Sequence, residues 1–331
     1  CGQTNGVITL HKVLNNGKLV LQHKLSSHKR CINSLDFLKG QDDANVLILG
    51  SQDGTIKLWD LRVTSSRPMM SISTGTHLDP VRSCQYSPHS SSRSGRINVL
   101  SVHDLGSLVK WDLRLSLHFS QERKWTFHSG PALSLHVHPE LEHVVTAGRD
   151  QKLCVWNYGD QSNSVPVSVV STYGPIAKVR WASYPVDDHF KDPFGNLERV
   201  PPLFKYDFAC TYLNEEPTIS VYNLARKYIP KEVVTGEKGF QNFIWGNSPR
   251  RIRQLWTLTK ENKLQGYSLD GIGGWLDISK PLDDLVPTSM AWGNMAGDFC
   301  LVNQKKDDFD LGNMQNISDS EERAGSVGPQ S

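Results

Sequence analysis

Residues 47–62, LILGSQDGTIKLWDLR, set the pattern that the chain repeats. They continue an unbroken apolar run, residues 46–49, which predicts a strand buried on both faces. Ser51, Gln52, Asp53 and Gly54 then form a tight turn, with Gly free to take positive φ and Asp able to bond its own backbone. Residues 55–59 alternate polar and apolar, a second strand with one face inward, and Asp60-Leu61-Arg62 turns the chain out. Later copies are 98–114 (NVLSVHDLGSLVKWDLR), 143–157 (HVVTAGRDQKLCVWN), 208–224 (FACTYLNEEPTISVYNL) and 253–269 (RQLWTLTKENKLQGYSL). The opening 1–12, with Asn5-Gly6 at its turn, reads as the tail of one more.

The strand-end aromatics Trp59, Trp111, Trp156, Tyr222 and Tyr267 lie 52, 45, 66 and 45 residues apart. A period of about 40–45 residues ending in Trp-Asp is the signature of WD repeats, four strands to each blade of an all-β propeller. The long interval is explained by an insertion at about 183–205, rich in Pro, Asp and aromatics, which reads as a surface loop. Each copy follows a strand of its own, at 32–37, 81–86, 132–137 and 176–181, and 240–245 is the innermost strand of the fifth repeat. Full repeats are expected at 26–72, 73–127, 128–170, 171–234 and 235–279, and 286–292 with 298–303 starts another. The propeller is thus expected over 1–304, and the polar stretch 305–331 is expected to be disordered. Five full repeats and two partial ones fit seven blades in an intact protein, or six if the first and last pairs complete each other. Because the chain opens on Cys1, inside a repeat, it reads as a fragment of a longer polypeptide.

Three histidines stand ahead of the first three repeats, giving the sets His28–Asp53–Trp59, His77–Asp104–Trp111 and His128–Asp150–Trp156. In WD propellers such a set, joined by a Ser or Thr, makes a hydrogen-bonded group inside the blade. Leu49, Leu100 and Ala147 occupy the expected hydroxyl positions, so the groups are expected to be incomplete. A His-Asp pair also suits general-base catalysis. Catalysis needs one such site, however, whereas this pair recurs once per repeat, as a structural part does.

A net charge of +2 gives no strong field and no footprint for nucleic acid. The cysteines lack any CxxC pair, and Cys84 and Cys154 fall on strands as small buried hydrophobes, which suits reduced thiols in a cytosolic protein. No apolar run approaches the ~18–20 residues of a membrane helix.

The stretch NLARKYIP at 223–230 directly follows a strand end. Together with His128-Ser129-Gly130-Pro131, Gly148-Arg149-Asp150, Val155-Trp156 and Ile176-Ala177-Lys178-Val179, it resembles the fungal restriction-of-telomere-capping family of WD-repeat proteins. The likeness runs from about 26 to 270. It implies a scaffold within the SEA complex, called GATOR in animals, with other propeller proteins as partners. That complex regulates TOR nutrient signalling through a Rag-type GTPase-activating partner at the vacuolar surface, which implies a cytoplasmic protein peripheral to that membrane. Full-length members carry a C-terminal RING-type zinc domain. Nothing here has the required ligand spacing, so no cofactor is expected in this chain.

Arg62 and Arg114, each closing a Trp-Asp-Leu-Arg run, match the box by which some WD proteins dock onto a cullin ubiquitin ligase adaptor. The plainer alternative is that each caps its own strand end. Arg226, Lys227, Tyr228 and Lys231 are candidate partner contacts, with Arg250, Arg251 and Arg253 a second small cluster. Asp187, Asp188, His189 and Asp192 carry metal-compatible side chains without a second His at ligand spacing, and Gly271-Ile272-Gly273-Gly274 opens no helix. Three functions are open: an interaction scaffold, a ubiquitin-ligase substrate receptor, and an enzyme whose acidic residues converge near the central channel.

Overall fold

The computed structural model describes residues 1–14, 17–26, 28–38, 45–63, 67–73, 79–87, 98–113, 121–160, 162–182, 189–191, 197–199, 206–214, 217–224, 227–236, 238–247, 253–269, 291–292 and 299–300. It contains strands throughout and divides into two units, 1–268 and 269–331. The first opens with an antiparallel pair, β1 (Val7–Val13) and β2 (Leu19–Ser26). Four complete four-stranded antiparallel sheets follow in chain order. They are β3 (Ile32–Phe37), β4 (Val46–Ser51), β5 (Thr55–Asp60), β6 (Met70–Ser73); β7 (Val81–Ser87), β8 (Asn98–His103), β9 (Ser107–Asp112), β10 (Gln121–Thr126); β11 (Ala132–Val137), β12 (His143–Gly148), β13 (Lys152–Asn157), β14 (Ser168–Ser171); and β15 (Ile176–Trp181), β18 (Asp207–Tyr212), β19 (Thr218–Asn223), β20 (Glu232–Thr235). The insertion is not a plain loop: it carries its own hairpin, β16 (His189–Lys191) with β17 (Leu197–Arg199). The fifth repeat shows three strands, β21 (Phe240–Asn247), β22 (Arg253–Thr259) and β23 (Leu264–Ser268). In the second unit β24 (Ala291–Trp292) pairs with β25 (Phe299–Cys300). This is the WD-repeat β-propeller that the spacing predicts. Residues 305–331 lie outside the described residues.

The apolar runs have a direct cause. In the first three complete sheets the second strand sends alternate side chains into two different cores, one toward each neighbouring sheet. Leu47 and Leu49 join Ile8, Ile32 and Trp59, whereas Ile48 joins Val81, Cys84 and Val99. Likewise Val144 packs with Leu100, Val102 and Trp156, and Val145 with Val179, Trp181 and Phe208. A strand buried on both faces must be apolar at successive positions, so period-2 alternation disappears there.

Two repeated devices hold the first strands in line. All five of β3, β7, β11, β15 and β21 shift register against their neighbour just after the first residue, a bulge that adds local twist. These strands also leave an unpaired edge, and side chains on the first strand of the preceding sheet accept from N–H groups along it in the second, third and fourth sheets. Ser34 Oγ accepts the Cys84 N–H at 2.8 Å and Asp36 Oδ2 the Tyr86 N–H at 3.3 Å. Gln85 Oε1 accepts the Val137 N–H at 2.8 Å. Ser134 Oγ and His136 Nδ1 accept the N–H groups of Val179 and Trp181, each at 3.2 Å. Edge donors that would otherwise be orphaned therefore tie each sheet to the next.

Turn glycines complete the joints. Gly6 and Gly106 have φ of +79° and +76°, and a Cβ on either would lie 2.0 Å or 2.4 Å from the carbonyl oxygen of His28 or His128. Only glycine allows that backbone approach.

Candidate functional site

The third repeat holds the complete form of the recurring polar group. The carboxylate of Asp150, in the turn before β13, accepts from His128 Nδ1 at 3.0 Å and from the Ser129 N–H at 3.1 Å. His128 Nε2 lies 2.9 Å from Thr146 Oγ1, which also accepts the Trp156 indole N–H at 3.0 Å. With Nδ1 donating to the carboxylate, Nε2 is left as acceptor for the Thr146 hydroxyl. The hydroxyl is thus Thr146, not the expected absence at Ala147. It sits ten residues before Trp156, on the strand opposite the indole. Loop, turn and two strands are joined through one imidazole whose two nitrogens are both committed.

The second repeat builds a related, looser group from different residues, in which His103 Nδ1 makes no hydrogen bond among the described residues. Ser101 Oγ, also ten before its Trp, lies 2.8 Å from His103 Nε2 and accepts the Trp111 indole N–H at 2.7 Å. Opposite His103 Nδ1 stands Asp79, at 4.0 Å, which takes the Leu105 N–H at 3.1 Å. His and Asp have exchanged places, the carboxylate now in the loop and the imidazole in the turn. The set His77–Asp104–Trp111 is therefore corrected. Asp104 is held by the Arg82 guanidinium, at 2.5 Å and 2.8 Å, and His77 lies outside the described residues. Leu100 is not the hydroxyl position; Ser101 is.

In the first repeat His28 Nδ1 meets Asp53 at 3.0 Å, and Thr55 Oγ1 at 3.1 Å. Ten residues before Trp59 stands Leu49, fully buried, and His28 Nε2 is buried with no hydrogen-bond partner among the described residues. The fourth repeat abandons the imidazole. Tyr212 occupies the hydroxyl position and donates to Ser220 Oγ at 2.8 Å, while Tyr222 stacks on Phe208 at 6.0 Å.

Burial pushes the His103 pKa down to about 4 against the opposing charge of Asp79, and burial also lowers that of His28. An unfolded His titrates near 6.5, so below that pH the unfolded chain binds the proton that the folded blade refuses. Stability is therefore complete above about pH 6.5 and falls as pH drops toward 4. From His103 alone the loss between pH 7 and 5 is about 2 kcal/mol. Urea midpoints across that range should fall with pH and fall less in His103→Gln; a flat profile contradicts the assignment.

The surface candidates fare differently. Arg62 Nε lies 3.0 Å and its Nη2 2.8 Å from the carboxylate oxygens of Asp60, so its fork is gripped by its own strand end. Tyr228 is 83% exposed with Lys227 over its ring at 5.5 Å, a presented aromatic and cation. Lys231 is not a surface contact: its ammonium lies 3.1 Å from Asp207, which is completely buried. Arg114, Arg226 and Arg250 lie outside the described residues, as do Asp187, Asp188, Asp192 and 271–274. No group of three or more His, Cys, Asp or Glu among the described residues could hold a metal, and no helix there is long and apolar enough to cross a membrane.

Comparison with known proteins accords with this architecture. The WD domain, G-beta repeat family model matches residues 19–60 and 119–157. Restriction of telomere capping protein 1 of Scheffersomyces stipitis is 52% identical over 328 residues, covering 94% of this chain. The chain is similar to that fungal protein. The proteins of that name from Debaryomyces hansenii and Candida tropicalis are 48% and 49% identical, each over 94% of the chain. The chain spans 30%, 26% and 28% of the length of these three restriction of telomere capping proteins.

Proposed function

We propose that this chain is a non-enzymatic interaction scaffold: the WD-repeat portion of a subunit in a SEA/GATOR-type complex that regulates TOR nutrient signalling at the vacuole, with a link to telomere capping. The observation that carries the proposal is similarity along nearly the whole chain to proteins named for restriction of telomere capping, together with the WD-repeat matches in this chain. The geometry supports a platform, because the repeated His, Asp and hydroxyl groups are spent on joining strands within blades. Its partners are other subunits of that assembly, including other propellers, and Lys227 with Tyr228 is a presented contact of the kind that anchors interfaces. The zinc domain belongs to the rest of a full-length protein, and membrane association comes through the complex.

Nothing favours the cullin-docking alternative, since the Arg62 fork is already occupied by Asp60. The test is affinity purification of the protein from its own cells, with mass identification of what accompanies it, for wild type and Arg62→Ala. The same propeller-containing assembly should be recovered with both. Recovery of a cullin adaptor that Arg62→Ala abolishes contradicts the scaffold reading, and so does wild type captured alone.

A further inference from the structure

The first strands of the second, third and fourth sheets, with that of the first, wall a cavity of about 220 Å³. A single water occupies about 30 Å³ of liquid, so this space holds several waters or one polyatomic ion with a substituent. Its lining is polar and its charges do not cancel. Lys178 and Arg180 stand two apart on β15, on one face of the strand, and both line it. Asp36 on β3 is the one carboxylate among the lining residues, and Ser83, Gln85 and His136 contribute neutral polar groups from β7 and β11.

The two cations are half-buried, and neither side chain has a hydrogen bond or ion pair to a described residue. Arg180 Nε is shut off from solvent without a hydrogen-bond partner among the described residues, although the backbone carbonyl of Arg180 is tied to the Trp245 indole at 3.2 Å. Such cations are costly to keep. Burial and the neighbouring guanidinium lower the pKa of Lys178. Asp36 offsets only part of this charge, and its Oδ2 already accepts the Tyr86 N–H. His136 Nδ1 accepts the Trp181 N–H, which places the proton on Nε2 and makes His136 a donor. By contrast, the buried ammonium of Lys231 has its Asp207. The fold pairs buried cations elsewhere and leaves this pair open.

We propose that the cavity is a binding site for a small soluble phosphate compound, its phosphate group held between Lys178 and Arg180. A phosphate monoester carries close to two negative charges and three acceptor oxygens, which matches an ammionium and a guanidinium side by side. The site gives the scaffold a means of sensing a soluble metabolite class, which nothing in its blades or its surface contacts requires.

Pyrophosphate titrated calorimetrically into the purified protein tests this, with sodium sulfate as competitor and the ionic strength held fixed. Wild type should bind stoichiometrically at one site. Lys178→Gln and Arg180→Gln should each weaken binding roughly ten- to hundred-fold, the loss of one charge-assisted contact. Asp36→Asn should tighten it. Because each Gln variant removes a half-buried cation without an ion-pair partner among the described residues, melting without pyrophosphate should be unchanged or raised, which separates lost binding from lost folding. Absence of wild-type binding at millimolar pyrophosphate overturns the proposal, as does equal binding by both Gln variants.

Discussion

Trp156→Ala lowers the unfolding free energy by about 3–5 kcal/mol, the range for deleting a large aromatic from a packed core. The indole is 2% exposed on β13 and packs in the core between the second and third sheets with Leu100, Val102 and Leu135. Its ring meets Trp125 at 6.0 Å and Phe127 edge-on at 6.1 Å. Truncation opens a cavity that stiff strands on both sides cannot collapse into. It also removes the indole N–H from Thr146 Oγ1, so a buried hydroxyl loses one of its partners. Trp156→Phe keeps most of the volume and loses the hydrogen bond, so its cost is smaller. Urea unfolding followed by circular dichroism, which does not depend on the deleted fluorophore, measures both. An unshifted midpoint in Trp156→Ala contradicts the core assignment.

Asp207→Ala is expected to cost a similar 3–5 kcal/mol, the range for breaking a buried pair by removing one partner. Asp207 begins β18 and is wholly buried; its carboxylate takes the Lys231 ammonium at 3.1 Å and the Asn223 side-chain amide. Removing it leaves a largely buried ammonium without its counter-charge. Adding Lys231→Met should restore most of the loss, because an apolar replacement of the whole pair is near neutral. If the double variant is as unstable as the single one, the ion pair is not the source of the effect.

The blades were legible in the chain because a propeller repeats its burial rule. A Trp or Tyr near the end of each third strand and an apolar second strand recur in register, so counting them locates the sheets. The polar groups were only partly legible. His128, Asp150 and Trp156 can be read from spacing, but spacing alone puts the hydroxyl position at Ala147, one residue after Thr146. Only the cross-strand register, which sets Val144 opposite Trp156, fixes that position. The second repeat departs from the spacing for another reason. An imidazole between a carboxylate and a hydroxyl can be assembled whichever loop supplies which. Asp79 and His103 stand in exchanged positions, 4.0 Å apart and without a hydrogen bond between them, while Asp104, the Asp that the spacing favours, serves Arg82. The constant offset of ten residues from Ser101 to Trp111 was the usable signal.

Lys231 illustrates the opposite error. Its neighbours Arg226, Lys227 and Tyr228 read as one exposed basic-aromatic face, yet Lys231 sits just before β20 and reaches inward to Asp207. Ion pairing across 24 residues leaves no mark on local pattern. The ladder from Ser34, Asp36, Gln85, Ser134 and His136 to the next sheet was illegible too, since polar residues alternating along a strand read as a solvated face.

The recurring His–Asp pairs act as structural joints, and equilibrium urea unfolding of Asp150→Ala is the most direct measurement of that. Loss of the carboxylate should leave His128 Nδ1 and the Ser129 N–H without their acceptor and cost about 3 kcal/mol. A variant that unfolds at the wild-type urea concentration contradicts it.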